Sequence, residues 1–433
     1  MTAQVRARGA LRPARAQSAR AVGAAAIARS ILTVAILAQW AAALLAGPSA
    51  QAEPLGVQPS VGVSAEYDSN PYILASRAIA AESGAVNVDL PTTYNGDEQT
   101  FQLEPRFRYA QSAGVVALLS NYEDIDGLWK LALERTVFSV TGSWYHDSTY
   151  YNQFENAALS GRTVNRTEQK GGLDWRWLLT ERDDLDVSGS FDKVGYGANS
   201  AGILENFEYS QAQARFDRSL SELWQWSFIA GYGYYELPDS DYRSADDFVE
   251  TSIQRTLSER WSLTAQLGYT YLRADTRVPE LYCCTISPSG YLELYEHSVI
   301  DDSSGDTPNY AVTLERRYQR LTLDLSASRA VQPSGFGALL AETDLSLHAG
   351  YQLSERWRVG AALHSLQQSD TLGRLNLGNG RYYDLDLSAG WKWTARWTLR
   401  LNTSFDLQRI NRQQAHRANV LLSLTRQFGR FGL

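Results

Sequence analysis

The segment 353-LSERWRVGAALHSLQQSD-370 joins a short polar motif to a run in which apolar residues alternate with polar or small ones. Strict alternation over such a length is typical of a β-strand with one apolar and one polar face. Related segments recur at 179-LTERDDLDVSGSFDKVGYG-197, 220-LSELWQWSFIAGYGYYE-236, 257-LSERWSLTAQLGYTYLRAD-275 and 393-WTARWTLRLNTSFDLQRIN-411. The chain therefore repeats one unit, a polar turn followed by a long strand.

The repeat has a period of about 40 residues, which a solenoid, a propeller or a row of hairpins could produce. From each polar joint the chain alternates, crosses a stretch rich in Gly, Asn, Asp and Ser, and alternates again until the next joint. A propeller blade of the WD type would need four short strands per repeat. Two long strands fill each repeat here, so the pattern predicts an up-and-down antiparallel meander.

Eighteen strands are predicted, and an even number leaves both ends of the chain on the same side of a closed barrel. The fold class is therefore all-β, a transmembrane up-and-down antiparallel β-barrel of about 18 strands. The predicted strands begin near Val57, Thr100, Gly114, Leu128, Val137, Arg166, Leu185, Phe207, Trp224, Phe248, Trp261, Asn309, Leu321, Glu342, Trp357, Arg381, Trp397 and Arg417.

The energetic cost of charges in lipid decides which face of each strand points outward. In 397-WTLRLNTSFDLQ-408, the apolar positions alternate with Arg400, Asn402 and Asp406. An outward Arg or Lys costs about 2–4 kcal/mol at the bilayer midplane, so the apolar set must face lipid. A soluble barrel of this size would need an apolar interior too wide for side chains to fill.

The polar set is consequently predicted to line a hydrated lumen, because so many strands leave an aqueous channel unless something plugs it. Its side chains either solvate the wall through salt bridges or set the field of the pore, and both roles are compatible. The predicted pore-lining residues are Asp174, Arg176, Asp186, Gln211, Gln213, Arg215, Asp217, Glu250, Gln266, Glu315, Arg317, Asp324, Asp344, Arg358, Asp384, Asp386, Lys392, Arg400, Asn402 and Asp406.

Aromatic residues are placed in phase with the turns. Tyr and Trp favour membrane interfaces because their rings are apolar at one end and polar at the other. A second group, about one strand crossing away, comprises Tyr232, Tyr234, Tyr269, Tyr271 and Trp144. The group at the short joints, predicted as membrane-interface aromatics, comprises Trp224, Trp226, Trp261, Trp357, Trp393 and Trp397.

Residues 1–52 differ from the rest of the chain. They contain six arginines and no acidic residue, an apolar run from Ile31 to Leu45, and a small-residue site ending at Ala52. This pattern predicts a cleaved signal peptide, followed by a barrel over residues 53–433, rather than a retained helical span or a transit peptide. Removing those six charges from the net −8 leaves −14. An acidic protein of this kind is not expected to bind nucleic acid.

The segment 64-SAEYDSNPYIL-74 and the repeated Leu-Ser/Thr-Glu-Arg turns resemble outer-membrane barrels of the "beta-barrel porin 2" type. The resemblance implies a location in the bacterial outer membrane, with contacts to its lipids and to the barrel-assembly machinery. It also implies export of polysaccharide, with periplasmic export components as partners. This chain departs from the usual terminal aromatic residue, and either Phe428 or Phe431 serves as the assembly signal.

No pattern points to catalysis, a metal or a cofactor. The five histidines lack metal-ligand spacing, and His146 beside Ser143 and Ser148 is better explained as an isolated interfacial residue than as part of a phospholipase site. Cys283 and Cys284 are adjacent in a long loop. They are predicted to form a disulfide that stiffens this loop, with pairing between chains as the alternative.

The loop 68–98 is the predicted plug or constriction, because 75-ASRAIAAESGAV-86 has a helical composition, and the loop around 275–305 is the second candidate. The function predicted from these features is an outer-membrane channel, not an enzyme, that passes polysaccharide or another polar polymer. The alternatives are a passive porin for small solutes and a plugged barrel with a structural or surface role.

Overall fold

A computed structural model of the chain describes residues 55–73, 78–113, 121–149, 164–197, 204–286, 292–372, 380–410, 413–429 and 431–432. Side chains are described within these ranges except at 277–301, 410, 413 and 432. Every described element is a β-strand, and all of them belong to a single antiparallel sheet. The signal peptide predicted at residues 1–52 lies outside the described residues.

From β5 to β20 each strand pairs with its neighbours in the chain, as predicted for a meander. Their bounds are β1 Gly56–Val57, β2 Ser60–Asp68, β3 Ala81–Asp89, β4 Thr92–Asn95, β5 Gln99–Ala113, β6 Tyr122–Ala132, β7 Thr136–Ser148, β8 Asn165–Leu178, β9 Asp183–Tyr196, β10 Phe207–Ser221, β11 Trp224–Glu236, β12 Tyr242–Ser258, β13 Trp261–Ile286, β14 Leu292–Arg317, β15 Leu321–Ser334, β16 Ala338–Gln352, β17 Trp357–Asp370, β18 Gly380–Lys392, β19 Trp397–Ile410, β20 Gln413–Gln427 and β21 Phe431–Gly432.

The sheet closes on itself where β2 pairs with β20, from Ser60 opposite Gln427 to Asp68 opposite Asn419. Three short breaks divide single wall strands, and the first two contain Pro59 and Pro91, which have no backbone N–H to donate. β1 continues into β2, β3 into β4, and β20 into β21, with β1 bonded to both β4 and β21. The described wall therefore has 18 strands, and the predicted closed barrel is confirmed.

Two predicted strand positions in the first quarter of the chain differ from the structure. The strand predicted near Gly114 falls among residues outside the described ranges, and Leu128 lies within β6 rather than at its start. The wall strand formed by β3 and β4 was missed, because it lies within the segment 68–98 that was predicted as a loop. Its Ala-rich sequence has helical propensity, which pairing with β2 and β5 overrides.

The repeated turns owe their Ser or Thr to a specific hydrogen-bonding role. The hydroxyl of Ser354 accepts hydrogen bonds from the backbone N–H groups of Arg356 at 3.3 Å and Trp357 at 3.1 Å. Thr394 accepts them in the same way from the N–H groups of Arg396 at 3.2 Å and Trp397 at 3.1 Å. These side chains satisfy turn donors that the sheet leaves unpaired. The Ser or Thr of the motif thus has the same role at the turns that begin with Thr180, Ser221, Ser258, Ser354 and Thr394.

Replacing Thr394 by Ala is expected to destabilise the folded barrel by about 1 kcal/mol, the typical net contribution of such hydrogen bonds. Chemical unfolding in lipid vesicles measures the change, with Thr398→Ala on the adjacent strand as the matched control. Equal stability of Thr394→Ala and the unsubstituted protein would contradict the role assigned to the hydroxyl.

Candidate functional site

The inner face of the barrel is identified by contacts between strands that are not neighbours in the sheet. The hydroxyl of Tyr235 on β11 donates a hydrogen bond of 2.9 Å to the carbonyl of Ser334 at the end of β15. Three strands, β12 to β14, pair in sequence between β11 and β15, so this contact crosses the barrel interior. Because paired residues share a face, the strand registers extend this assignment around the whole wall.

All twenty residues predicted to line the pore lie on the inner face by register. Asp384 is opposite Asp406, Arg215 is opposite Asp186, and Asp186 is also opposite Arg176. The apolar residues between them, such as Leu385 at 37% exposure, point to the outside. The part that the twenty inward residues play in conducting a solute stays a prediction.

Many inner charges are held in hydrogen-bonded clusters. Arg215 donates to both carboxylate oxygens of Asp217 at 2.9 Å and to the hydroxyl of Ser227 at 3.0 Å. Arg166 is 1% exposed and pairs with Asp147 at 3.0 Å and Glu168 at 3.1 Å. Buried charges of this kind need partners, and these clusters brace the wall.

Further clusters tie together strands on the other side of the barrel. Asp406 accepts hydrogen bonds from Tyr382 and Arg417. Glu250 accepts hydrogen bonds from Gln266 and, at 3.1 Å, from Asn309. Several predicted pore-lining residues therefore also have a structural role.

The inner face is acidic as a whole. In the described strands, Asp and Glu outnumber Lys and Arg on this face by about two to one. On β15 to β18, Asp324 and Asp386 line one recess together with His348. Asp384 follows the same face one step nearer the long loops. Such a wall attracts cations and repels anions.

The mouth at the long-loop rim is crossed by the tip of the β15–β16 hairpin, residues 333–339. In addition to the bond from Tyr235, the backbone N–H of Glu205 donates to the carbonyl of Gly335 at 2.7 Å. Gly337 has a φ of +82°, a conformation that favours glycine, and a Cβ at this position would come within 3.2 Å of the Leu237 side chain and 3.3 Å of the Glu205 side chain. These contacts hold the tip against the wall formed by β10 and β11.

An apolar cluster seals the tip to that wall. Leu339 is fully buried, and Phe336 packs against the same cluster. The partners from the opposite wall include Phe207, Tyr235 and Leu272. Sequence reasoning did not identify this tip as a functional segment. Its signal was the run 335-GFGALLA-341, where small and apolar residues replace the polar loop residues found elsewhere.

The segment that follows β2 also packs against the inner face of the barrel. Ile73 is 5% exposed and packs against Leu366, Tyr382 and Ala415, which belong to strands on the inner face. The side chain of Asn70 donates to the carbonyl of His416 at 2.9 Å. The start of the predicted constriction loop thus turns inward.

The remainder of the predicted constriction segments requires correction. Residues 81–95 are wall strands β3 and β4 rather than a plug, while 74–77 lie outside the described residues. The segment 275–305 does not form a loop over most of its length. It continues β13 and β14 as one long hairpin, because the paired register extends to Ile286 opposite Leu292.

Between these contacts the lumen retains a cavity of about 750 Å³. It lies against both walls of the barrel. One side is formed by residues such as Lys170 and Gln211, and the other by Glu342 and His364. Most of its lining residues are polar, and its outer limit includes Pro333 at the tip.

The outer face forms a continuous apolar band. On β19 the outward side chains run from Trp397 through Leu401 and Phe405 to Leu407. Eleven residues at about 3.3 Å each, with a strand tilt near 40°, span about 25 Å, which matches the apolar band of outer-membrane barrels. A closed barrel with this exterior and a polar interior satisfies every backbone group inside lipid. The predicted location in the bacterial outer membrane is thereby confirmed.

The predicted interface tryptophans all lie at the short-turn rim with outward register, and Trp393 directly follows β18. Arg255, Arg316 and Arg426 stack on Trp224, Trp261 and Trp397 at 4.6, 5.0 and 5.6 Å from the ring centroids. Such cation–π pairs keep the arginine charge at the membrane interface. The arrangement fits an aromatic belt, and its contact with lipid stays a prediction.

The remaining candidate residues do not converge on a site. Ser143 faces inward and His146 outward on β7, so they cannot act together. The backbone of Cys283 and Cys284 lies in β13, but their side chains, and hence the predicted disulfide, lie outside the described part. Among the described residues, no group of ligands suitable for a metal ion is found, and no helix is long and apolar enough to cross a membrane.

No protein-family model and no curated protein matches the chain. Among solved structures, it is similar to the outer membrane protein OpdK of Pseudomonas aeruginosa, with 11% identity, 86% of this chain and 99% of that chain covered, and a TM-score of 0.44. It is also similar to OccAB2 of Acinetobacter baumannii, with 12% identity, coverage of 87% and 98%, and a TM-score of 0.43.

The FrpB iron transporter of Neisseria meningitidis is similar as well, with 10% identity, coverage of 83% and 64%, and a TM-score of 0.47. The resemblance to the "beta-barrel porin 2" type stays a resemblance, since no family model matches.

Proposed function

We propose that this protein is an outer-membrane channel for small polar solutes that prefers cations to anions. The observation that carries the proposal is the acidic inner face, which surrounds a polar cavity of about 750 Å³. A wall dominated by one sign of charge concentrates ions of the opposite sign. No catalytic constellation is part of the proposed function.

The acidic character is concentrated where fewer cationic partners offset it. Asp384 and Asp386 follow one another on β18 with Asp406 opposite the first of them. Asp406 is paired with Arg417, whereas Asp386 opens into the recess that also contains Asp324. Asp324 and Asp386 are therefore the carboxylates expected to contribute most to cation preference.

The double substitution Asp324→Asn and Asp386→Asn is expected to reduce cation selectivity, because it removes two negative charges with little change in side-chain volume. Reversal potentials in planar bilayers under a salt gradient measure the change. Glu82→Gln is the matched control, since Glu82 lies on the outer face of β3. An unchanged reversal potential in the double variant, or an anion-selective parent protein, would contradict the proposal.

Passage of polysaccharide, the function favoured by the sequence, is less well supported by the geometry. A hydrophilic polymer needs a continuous polar path, whereas the apolar cluster at residues 333–339 interrupts that path at the mouth. Polymer export would require displacement of this tip. Deleting the gene and measuring surface glycan tests this alternative independently of conductance.

A further inference from the structure

The outer face carries a row of basic and uncharged polar side chains at the long-loop rim, whereas the outward row on β9 to β13 mixes basic with acidic residues. Register places them opposite one another across six consecutive strands, β15 to β20. At about 4.8 Å per strand, the row is about 24 Å long. Its members are Arg329, Thr343, Gln367, Arg381, Arg409 and Gln414.

Two arginines of this row face each other directly. Arg381 on β18 is opposite Arg409 on β19, and both side chains are exposed. Like charges at opposed positions of an antiparallel pair repel each other. Because the neighbouring row below holds Tyr383 and Leu407, the pair sits at the edge of the apolar band. An anion shared by the two guanidinium groups would relieve their repulsion.

The wall supplies no such anion in this sector. Every Asp and Glu in strands β15 to β20 lies on the inner face by register. The sequence also contains no Asp or Glu from residue 371 to 383, or from residue 407 to the end. The connecting segments therefore cannot contribute a carboxylate either.

In the opposite sector, from β9 to β13, outward basic residues at the long-loop rim lie beside acidic residues. There, outward Lys193 is 2.5 Å from Glu208, and outward Arg273 is 2.6 Å from Asp247. Arg243 on β12 lies opposite Glu236 and Asp275 in register, so the outward basic residues at this level of β9 to β13 have acidic neighbours. The uncompensated charge is confined to one side of the molecule.

The side chain of Arg329 points toward the long-loop rim. Its guanidinium donates to Thr343 at 2.8 Å and, at 3.4 Å, to Ser369, which lies nearer the long-loop rim. The side chain thus extends out of the apolar band toward the headgroup level, as long cationic side chains do at membrane interfaces.

Outer-membrane barrels have short periplasmic turns and longer extracellular loops, so the long-loop rim lies at the outer leaflet. We propose that this row, the β15–β20 basic row, binds the phosphate groups of the phosphorylated glycolipid in that leaflet. Guanidinium groups are suited to phosphate because they donate paired, charge-assisted hydrogen bonds in a fixed plane. The apolar positions beneath the row, including Leu363, Leu385 and Phe405, provide a surface for acyl chains. Gln367 and Gln414 supply further donors for the sugar and phosphate oxygens.

The test uses purified full-length protein in detergent, incubated with lipid A that carries its phosphates or with dephosphorylated lipid A. Native mass spectrometry then measures the fraction of protein with bound lipid. We expect retention of the phosphorylated form and a severalfold loss in the double variant Arg381→Gln, Arg409→Gln. Arg273→Gln is the matched control, because Arg273 lies outward at the same rim but is paired with Asp247.

Heat-modifiable electrophoretic mobility verifies that each variant is folded, and it is read separately from lipid retention and from conductance. Equal retention by the double variant and the unsubstituted protein would overturn the proposal. Equal retention of the dephosphorylated lipid would do so as well. Equally effective competition by phosphatidylglycerol would replace the glycolipid with a general anionic lipid as the occupant.

Discussion

Replacing residues 333–339 with Asn-Gly is expected to raise the single-channel conductance severalfold. The replacement keeps Gln332 opposite Leu340, and Asn-Gly is the preferred two-residue connection between antiparallel strands. It removes the carbonyls that accept hydrogen bonds from Tyr235 and Glu205, and it removes the apolar side chains that seal the mouth. The passage at the long-loop rim is then no longer crossed by protein.

Planar-bilayer recordings of the shortened variant and the unsubstituted protein measure the effect. Tyr235→Phe provides a graded control, because it deletes a single hydrogen bond to the tip while retaining the packed ring. Its conductance is expected to lie close to that of the unsubstituted protein, with more frequent fluctuations. A shortened variant with unchanged conductance would show that the constriction lies elsewhere in the lumen.

The double substitution Leu387→Arg and Leu401→Arg is expected to abolish accumulation of folded barrel in the outer membrane. Both side chains are outward and exposed near the middle of the apolar band. Each arginine costs about 2–4 kcal/mol there. Since the two positions lie on neighbouring strands without facing each other, the costs are expected to add approximately. The sum is comparable with the whole stability of a typical domain.

Ser388→Arg and Asn402→Arg form the matched control, because these residues are on the same two strands but face the interior and oppose each other in register. The control is expected to assemble, since the new charges would meet water and nearby carboxylates. Electrophoretic mobility without heating, measured on outer-membrane fractions, distinguishes folded from unfolded protein. Normal assembly of the outward variant would refute the assignment of faces.

The alternation of the long strands was sufficient to predict the barrel and its two faces. A one-residue shift exchanges the two faces of a strand. The cost of placing a charged residue such as Arg400 or Asp386 in lipid therefore assigns the faces of its strand without reference to the other strands. Local sequence was misleading where alternation was weak. In β3, Ala81, Ser83 and Ala85 alternate with Glu82 and Gly84, which gives little apolar contrast and an Ala-rich, helical composition. Only pairing with two long neighbours makes that segment a strand.

The sequence by itself determined what depends on neighbours along the chain: strand periodicity, turn chemistry, the apolar exterior and the acidic interior. The tertiary structure alone decided which loop crosses the mouth, because the contact of Ser334 with Tyr235 joins residues 99 positions apart and leaves no periodic trace. It likewise decided that Arg381 and Arg409 meet unpaired on one side of the wall. Contacts of this kind follow from ring closure, which places distant strands side by side or across a shared lumen.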